Sequence, residues 1–357
     1  MKKILMFIGI FAVTLLLTAC GNKEKLNLYI PNEYIDSSLV KAFEKEHNVR
    51  VKIITFNSNE VALGQVRANK YDIVVPSDYA IEELAKEGLL EELNGREFFE
   101  EGFEFAPGLE AFFEQLNEDG FDFLKYSVPY FWGSLGVLYN HNKITLDRME
   151  KDGYKVIADQ SLETIIYDSS RDAIMVGLLA NGKMLHDANR DEATLKADLK
   201  QAEEWLVSAK GPKTSILSDE ILTDMLSGTK YDAAITYSGD AAYIMSENEN
   251  YSFYIPENTN VFADGFVIPK NAQNKELAKK FIEFMSTYEA SLDNTIEIGY
   301  TSVRNDVYTE MTKEGGDFSE PRLKYAYETK VSLFQIFRYD QKLKELIDQA
   351  WQRVSVS

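Results

Sequence analysis

Residues 71–93 read YDIVVPSDYAIEELAKEGLLEEL. Ile73, Val74 and Val75 form a short apolar, β-branched run, which favours a buried strand. Pro76 cannot donate to a sheet ladder, so the strand ends there. Ser77 or Asp78 then caps a helix that carries Ile81, Leu84 and Ala85 on one face and stops at Gly88. A small polar and aromatic cluster, Ser77, Asp78 and Tyr79, therefore sits just past the C-terminal end of a strand. In open α/β sheets that is where ligands bind.

The same rhythm runs upstream. Residues 26–30 read as a strand, and Ser37 or Ser38 caps a helix with Leu39, Ala42 and Phe43 inward. Residues 51–56 read as a second strand and 59–69 as a helix. This βαβαβ order implies a parallel sheet flanked by helices. Residues 94–122, acidic and rich in Phe, read as loops and short helices. The run Val128-Pro129-Tyr130-Phe131-Trp132-Gly133 leads into apolar residues 135–139, a junction that suggests a crossing into a second domain. Residues 165–167 and 233–237 read as buried strands, ending at the clusters Asp168-Ser169-Ser170-Arg171-Asp172 and Tyr237-Ser238-Gly239-Asp240. Residues 266–269 read as another strand. Two later amphipathic helices carry Ala278, Phe281, Ile282 and Met285, then Leu343, Leu346, Ile347 and Trp351. Any site shared by the three polar strand ends is built from both halves of the chain.

Lys2 and Lys3, the apolar residues 4–17 and Leu17-Thr18-Ala19-Cys20 describe a secretory signal with a charged start, a short apolar core and small residues before a cut. Leu-Thr-Ala-Cys resembles the bacterial lipobox, which implies that Cys20 is lipidated and becomes the new N-terminus. Cys20 is the one cysteine in the chain, so no internal disulfide and no multi-cysteine metal site is expected. The 357 residues less that segment leave roughly 335, enough for two domains. A net charge of −20 argues against nucleic acid, which needs a basic surface. It permits a cationic ligand.

No catalytic motif stands out. The nearest approach to a nucleophile elbow, Trp132-Gly133-Ser134-Leu135-Gly136, has Trp where the first Gly belongs. There is no H-E-x-x-H, no Walker loop and no G-x-G-x-x-G. His47, His141 and His186, the three histidines, lie in polar contexts and are expected to be exposed or locally bonded. No catalytic residue, metal ligand or cofactor site is assigned.

The runs 71–79, 128–133, Asp264-Gly265-Phe266-Val267-Ile268-Pro269 and Ile298-Gly299-Tyr300-Thr301, in this order behind a lipobox, resemble the spermidine/putrescine-binding proteins of bacterial ABC importers. The resemblance spans nearly the whole chain after Cys20. It implies an α/β, two-lobed, periplasmic-binding-protein-like fold of type II, each lobe a mainly parallel sheet flanked by helices, with the ligand cleft at the hinge. It implies a signal peptide over 1–19, a lipidated Cys20 and tether over 20–25, one lobe from 26–132 with 255–308, and the other from 133–254 with 309–357. The expected protein is an extracytoplasmic, membrane-anchored monomer. It would pass a polyamine to permease subunits driven by a separate ATPase.

Carried over residue by residue, the resemblance implies ligand contacts at Asn32, Glu33, Tyr34, Ser77, Tyr79, Ser169, Asp172, Tyr237, Asp240, Phe262, Asp264, Tyr300 and Gln335. Asp264 matches the family's central amine-binding Asp. Pro31 replaces a stacking Trp, Ser169 stands where an Asp is usual, and Asp172 is a shortened Glu. Arg171 is expected in an internal salt bridge and Trp132 in the hinge core. Elementary chemistry points the same way. An ammonium taken from water needs a carboxylate or the face of a ring, and methylenes need apolar walls. Two other readings stand beside this one: the same fold holding a different small amine or other small solute, and a surface hydrolase.

Overall fold

The computed structural model describes residues 23–187, 190–218, 220–329 and 335–357. The expected signal segment and Cys20 lie outside them. Strands β1 (Lys25–Pro31), β2 (Arg50–Phe56) and β3 (Ile73–Val74) form a three-stranded parallel sheet in the order β2-β1-β3. Helices Ser37–His47 and Asn59–Ala68 connect them. The first is capped by Asp36, whose carboxylate accepts from Ser38 N, rather than by either serine. Its buried face is Leu39, Val40 and Phe43, with Ala42 exposed. The difference of two positions is a rotation of about 200° at 3.6 residues per turn, so Val40 and Ala42 lie on opposite sides.

The 71–93 stretch folds as its residues dictate, with one change. Helix Asp78–Lys86 starts after Ser77. It stops in a Schellman motif, with Gly88 at φ 71°, Gly88 N bonded to Ala85 O and Leu89 N to Leu84 O. Ser77 stands at the cap position, but its hydroxyl does not cap. It accepts from Asn59 Nδ2 (2.9 Å), while Ser77 N donates to Asn59 Oδ1 (3.0 Å). Asp78 is buried instead, accepting from Tyr79 N and Ala263 N. Further along, residues 94–122 hold a ten-residue helix, Leu109–Glu118, which buries Leu109, Phe112, Phe113 and Leu116. The Phe-rich stretch is thus core. Phe113 stacks on Phe123 and Phe99 on Phe103.

β4 (Val128–Asn140) follows, thirteen residues all buried. Then come β5 (Thr164–Tyr167), β6 (Thr214–Leu217), β7 (Ala233–Tyr237), β8 (Tyr251–Tyr254), β9 (Asn260–Phe266), β10 (Thr301–Ser302) and β11 (Gln335–Ile336). These eight form one sheet in the order β11-β9-β4-β7-β5-β6, with β8 and β10 also on β4. It is mixed. β5 runs parallel to β6 and β7, and β11 to β9, whereas β4 is antiparallel to all four strands that it pairs. Pro129, which has no N–H to give, sits where the β4–β9 register shifts. The strand expected over 266–269 lies earlier, at β9. Residues beyond Phe266 remain close to the first sheet through bridges Val74–Val267 and Leu90–Pro269. Bridge Ser77–Asp264 does the same at the end of β3. The crossing point expected at 132/133 falls within the unbroken β4.

Gly133 leaves the space that Ser238 Oγ and the Phe262 ring need, since a Cβ there would lie 2.6 Å and 3.1 Å from them. No helix among the described residues is long and apolar enough to cross a membrane.

Candidate functional site

The strand ends converge on one cavity. β1 brings Pro31, Asn32, Glu33 and Tyr34 to it, and the turn after β3 brings Ser77 and Tyr79. Ser169 and Asp172 come from the end of β5, Tyr237 and Asp240 from the end of β7, and Phe262 and Asp264 from β9. Tyr300, just before β10, completes the set. Twelve of the thirteen expected residues therefore line one space. Gln335 does not. Its Oε1 accepts from Leu185 N (2.8 Å) and His186 N (3.1 Å), and its Nε2 donates to Asn258 O (2.6 Å). The whole amide is spent on backbone.

Five carboxylates line the cavity, those of Glu33, Glu60, Asp172, Asp240 and Asp264. Among the described residues no Lys, Arg or His lines it. Four of the five each accept from one tyrosine hydroxyl: Asp264 from Tyr34 (2.5 Å), Asp172 from Tyr237 (2.8 Å), Asp240 from Tyr300 (3.0 Å) and Glu60 from Tyr79 (3.1 Å). The pattern has a consequence for both partners. Each phenol aims a carboxylate and lends its ring as a wall. Burial, with these neighbouring anions, pushes the Tyr34, Tyr79, Tyr237 and Tyr300 hydroxyls well above their ordinary range, so all four remain donors. The rings pack edge to face, Tyr34 on Tyr300 at 4.8 Å and Tyr237 on Phe262 at 5.2 Å.

Asp264 and Asp172 are the two deeply buried carboxylates of the cavity. Asp264 is 5 % exposed. Its Oδ2 takes the Tyr34 hydroxyl, and its Oδ1, fully buried, has no hydrogen-bond partner among the described residues. Burial pushes its pKa up to about 6, against the pull of the Tyr34 hydroxyl and of the Ser77 hydroxyl, which lies near the carboxylate without making a hydrogen bond to Oδ1. Tyr34 is itself held. Tyr130 OH donates to the Tyr34 carbonyl (2.7 Å), and Asn294 Nδ2 donates to Tyr130 OH (2.7 Å). A buried anion with an open oxygen is costly alone and strongly attractive to a cation that can donate hydrogen bonds. Asp172, 4 % exposed, is likewise raised by burial.

Two expectations need correction. Arg171 makes no ion pair among the described residues. Its guanidinium lies on the Tyr79 ring at 4.2 Å and near Phe337 at 5.4 Å, with Nε and one terminal nitrogen buried and unpaired. One face of Tyr79 is thus occupied by this protein's own cation, which leaves the other face, the edge and the hydroxyl. His186 is not an exposed histidine. It is partly buried, its Nε2 has no partner among the described residues, and burial pushes its pKa down to about 4. Ser169, at the position of a missing acid, caps helix Ser170–Ala180 by accepting from Asp172 N. Trp132 is 1 % exposed, in the core, and does not line the cavity.

Sequence reasoning missed Asn59, Glu60, Asn260 and Phe337, which also line the cavity. Asn59 and Glu60 open the helix that follows the end of β2, a strand end with the same polar character as the others. Asn260 was legible from alternation, since 260, 262 and 264 share a face of one strand. Phe337 follows a strand of two residues and leaves no such trace.

Residues 38–319 match the model of the bacterial extracellular solute-binding protein family. The chain is 25% identical over 334 residues to spermidine/putrescine-binding periplasmic protein 1 of Haemophilus influenzae, covering 88% of this chain and 89% of that one. Among solved structures, a Listeria monocytogenes protein described as a spermidine/putrescine ABC transporter superposes with a TM-score of 0.78 at 30% identity, over 94% of this chain and 99% of the other. The spermidine/putrescine ABC transporter substrate-binding protein PotD of Streptococcus pneumoniae does so with a TM-score of 0.70 at 25% identity, over 93% and 99%. This chain belongs to the bacterial extracellular solute-binding protein family.

Proposed function

We propose that this protein captures a polyamine, spermidine or putrescine, outside the cytoplasm and delivers it to the permease subunits of an ABC importer with a separate ATPase. The observation that carries the reading is Asp264, a buried carboxylate with one oxygen aimed by Tyr34 and the other without a partner among the described residues, in a cavity lined by carboxylates and rings and, among the described residues, by no basic side chain. An ammonium at Asp264 Oδ1 would make a charge-assisted bond, and the rings would carry the methylenes. The similarity to spermidine/putrescine-binding relatives supports the same solute class.

The working arrangement follows from the proposed lobes, 26–132 with 255–308 and 133–254 with 309–357. Tyr34, Ser77, Tyr79 and Asp264 belong to the first, and Asp172, Tyr237 and Asp240 to the second. A solute touching both groups at once binds the closed form better than the open form and so shifts the population toward closure. The protein acts as a monomer held at the membrane by lipid on Cys20, and it binds without catalysing. Calorimetric titration of residues 26–357 with putrescine, spermidine and spermine tests this. Binding in the micromolar range or tighter to at least one, lost in Asp264→Asn, is the expected result. No heat with any of the three overturns the solute class.

A further inference from the structure

β9 presents Asn260, Phe262 and Asp264 on one face, and all three line the cavity. The two outer residues end in the same way. Asp264 Oδ1 and Asn260 Oδ1 are both buried without a hydrogen-bond partner among the described residues. Asn260 is 3 % exposed. Its partner across the ladder, Gln335, spends its amide on three backbone groups and does not line the cavity, whereas Asn260 lines it with its oxygen unspent. A buried amide oxygen without a partner is a cost that folding does not repay, and native structures keep few of them.

We propose that Asn260 is a ligand-contacting residue that sets chain length, its amide oxygen taking the second cationic end of an extended triamine whose first ammonium sits at Asp264. The proposal rests on the polyamine reading of the cavity. Four residues of strand separate the two positions by roughly 13 Å. An all-trans chain gains roughly 1.2 Å per bond, the rate of an extended backbone. Nine bonds join the terminal nitrogens of spermidine, roughly 11 Å, and five join those of putrescine, roughly 6 Å. With a hydrogen bond of about 2.8 Å at each end, the triamine reaches both oxygens. Against that strand spacing the diamine falls short by about 1–2 Å even when both bonds lie in line with it. Phe262, midway, carries the methylenes between. Asp172, in the same cavity, supplies the negative charge that the neutral amide lacks.

The test is calorimetry with spermidine and with putrescine on the wild type, Asn260→Leu and Asn260→Asp, with ligand-free melts to check folding. Asn260→Leu keeps the shape and removes the acceptor. It is expected to lose about ten- to a hundredfold in spermidine affinity and less than about threefold for putrescine. Asn260→Asp keeps an acceptor in place and is expected to hold spermidine at least as tightly as the wild type. Should Asn260→Leu melt before titration, Asn260→Ala is read in the same way. A variant without the acceptor that binds spermidine like the wild type, or that loses both amines equally, overturns the inference while leaving the solute class intact. A wild type that binds neither amine overturns the polyamine reading itself.

Discussion

Replacing Asp264 by Asn separates the cost of the site from its use. In the folded protein the Asp264 carboxyl has a pKa of about 6 against an ordinary 3.8, with burial the main cause. At about 1.4 kcal/mol per unit, ionising it in the fold costs about 3 kcal/mol more than in the unfolded chain. The sign follows from linkage. A raised folded pKa favours the protonated form, so its contribution is fully present below about pH 4 and is lost as pH rises through about 6. Asn does not titrate. Whatever constant offset the substitution brings, the stability of Asp264→Asn relative to wild type should therefore rise by about 2–3 kcal/mol between about pH 4 and about pH 8. Urea unfolding of the ligand-free proteins across that range measures it. A difference that is flat with pH, or that moves the other way, refutes the picture of an uncompensated buried anion awaiting a cation.

Binding should carry the opposite dependence. Below about pH 6 the solute must first ionise Asp264, so affinity is expected to fall by up to about tenfold per pH unit, and affinity equal at about pH 5 and about pH 7.5 would count against it. Tyr34→Phe removes the hydroxyl on Asp264 Oδ2 and is expected to cost about 1.5–3 kcal/mol of binding, read as a calorimetric affinity loss. Gly239→Ala would place a Cβ 2.2 Å from the Tyr300 ring. Displacing that ring from Asp240 should cost about 1–3 kcal/mol of stability, seen as a lower melting temperature, together with weaker binding.

Where residues 71–93 were read closely, the residues dictated the structure. A β-branched run stopped by proline gives β3, and Gly88 closes the helix that follows. Three strand ends were legible for the same reason and bring Ser77, Tyr79, Ser169, Asp172, Tyr237 and Asp240 to the cavity, whereas Asn32, Glu33, Tyr34, Phe262, Asp264 and Tyr300 were expected from the family resemblance alone. What could not be read is instructive. A cap is chosen by local geometry among neighbouring candidates, so Asp36 displaced two serines, and Ser77 turned its hydroxyl to Asn59. Arg171 has carboxylates nearby in sequence, yet packing put it on Tyr79, a contact between residues 92 positions apart that no spacing encodes. Gln335 matched a family position, but its amide is consumed by three backbone groups brought from distant segments, and Asn260 beside it lines the cavity instead. The antiparallel role of β4 was hidden because a strand buried on both faces reads as a continuous apolar run in either orientation.

An ammonium group held at Asp264 underlies both the proposed capture of a polyamine and the role of Asn260. A crystal structure of residues 26–357 with spermidine bound tests it most directly. A ligand nitrogen is expected at about 2.7–2.9 Å from Asp264 Oδ1, with the chain lying over Phe262. A spermidine bound elsewhere, or a cleft that holds the amine with no nitrogen within hydrogen-bond reach of Asp264, would contradict it.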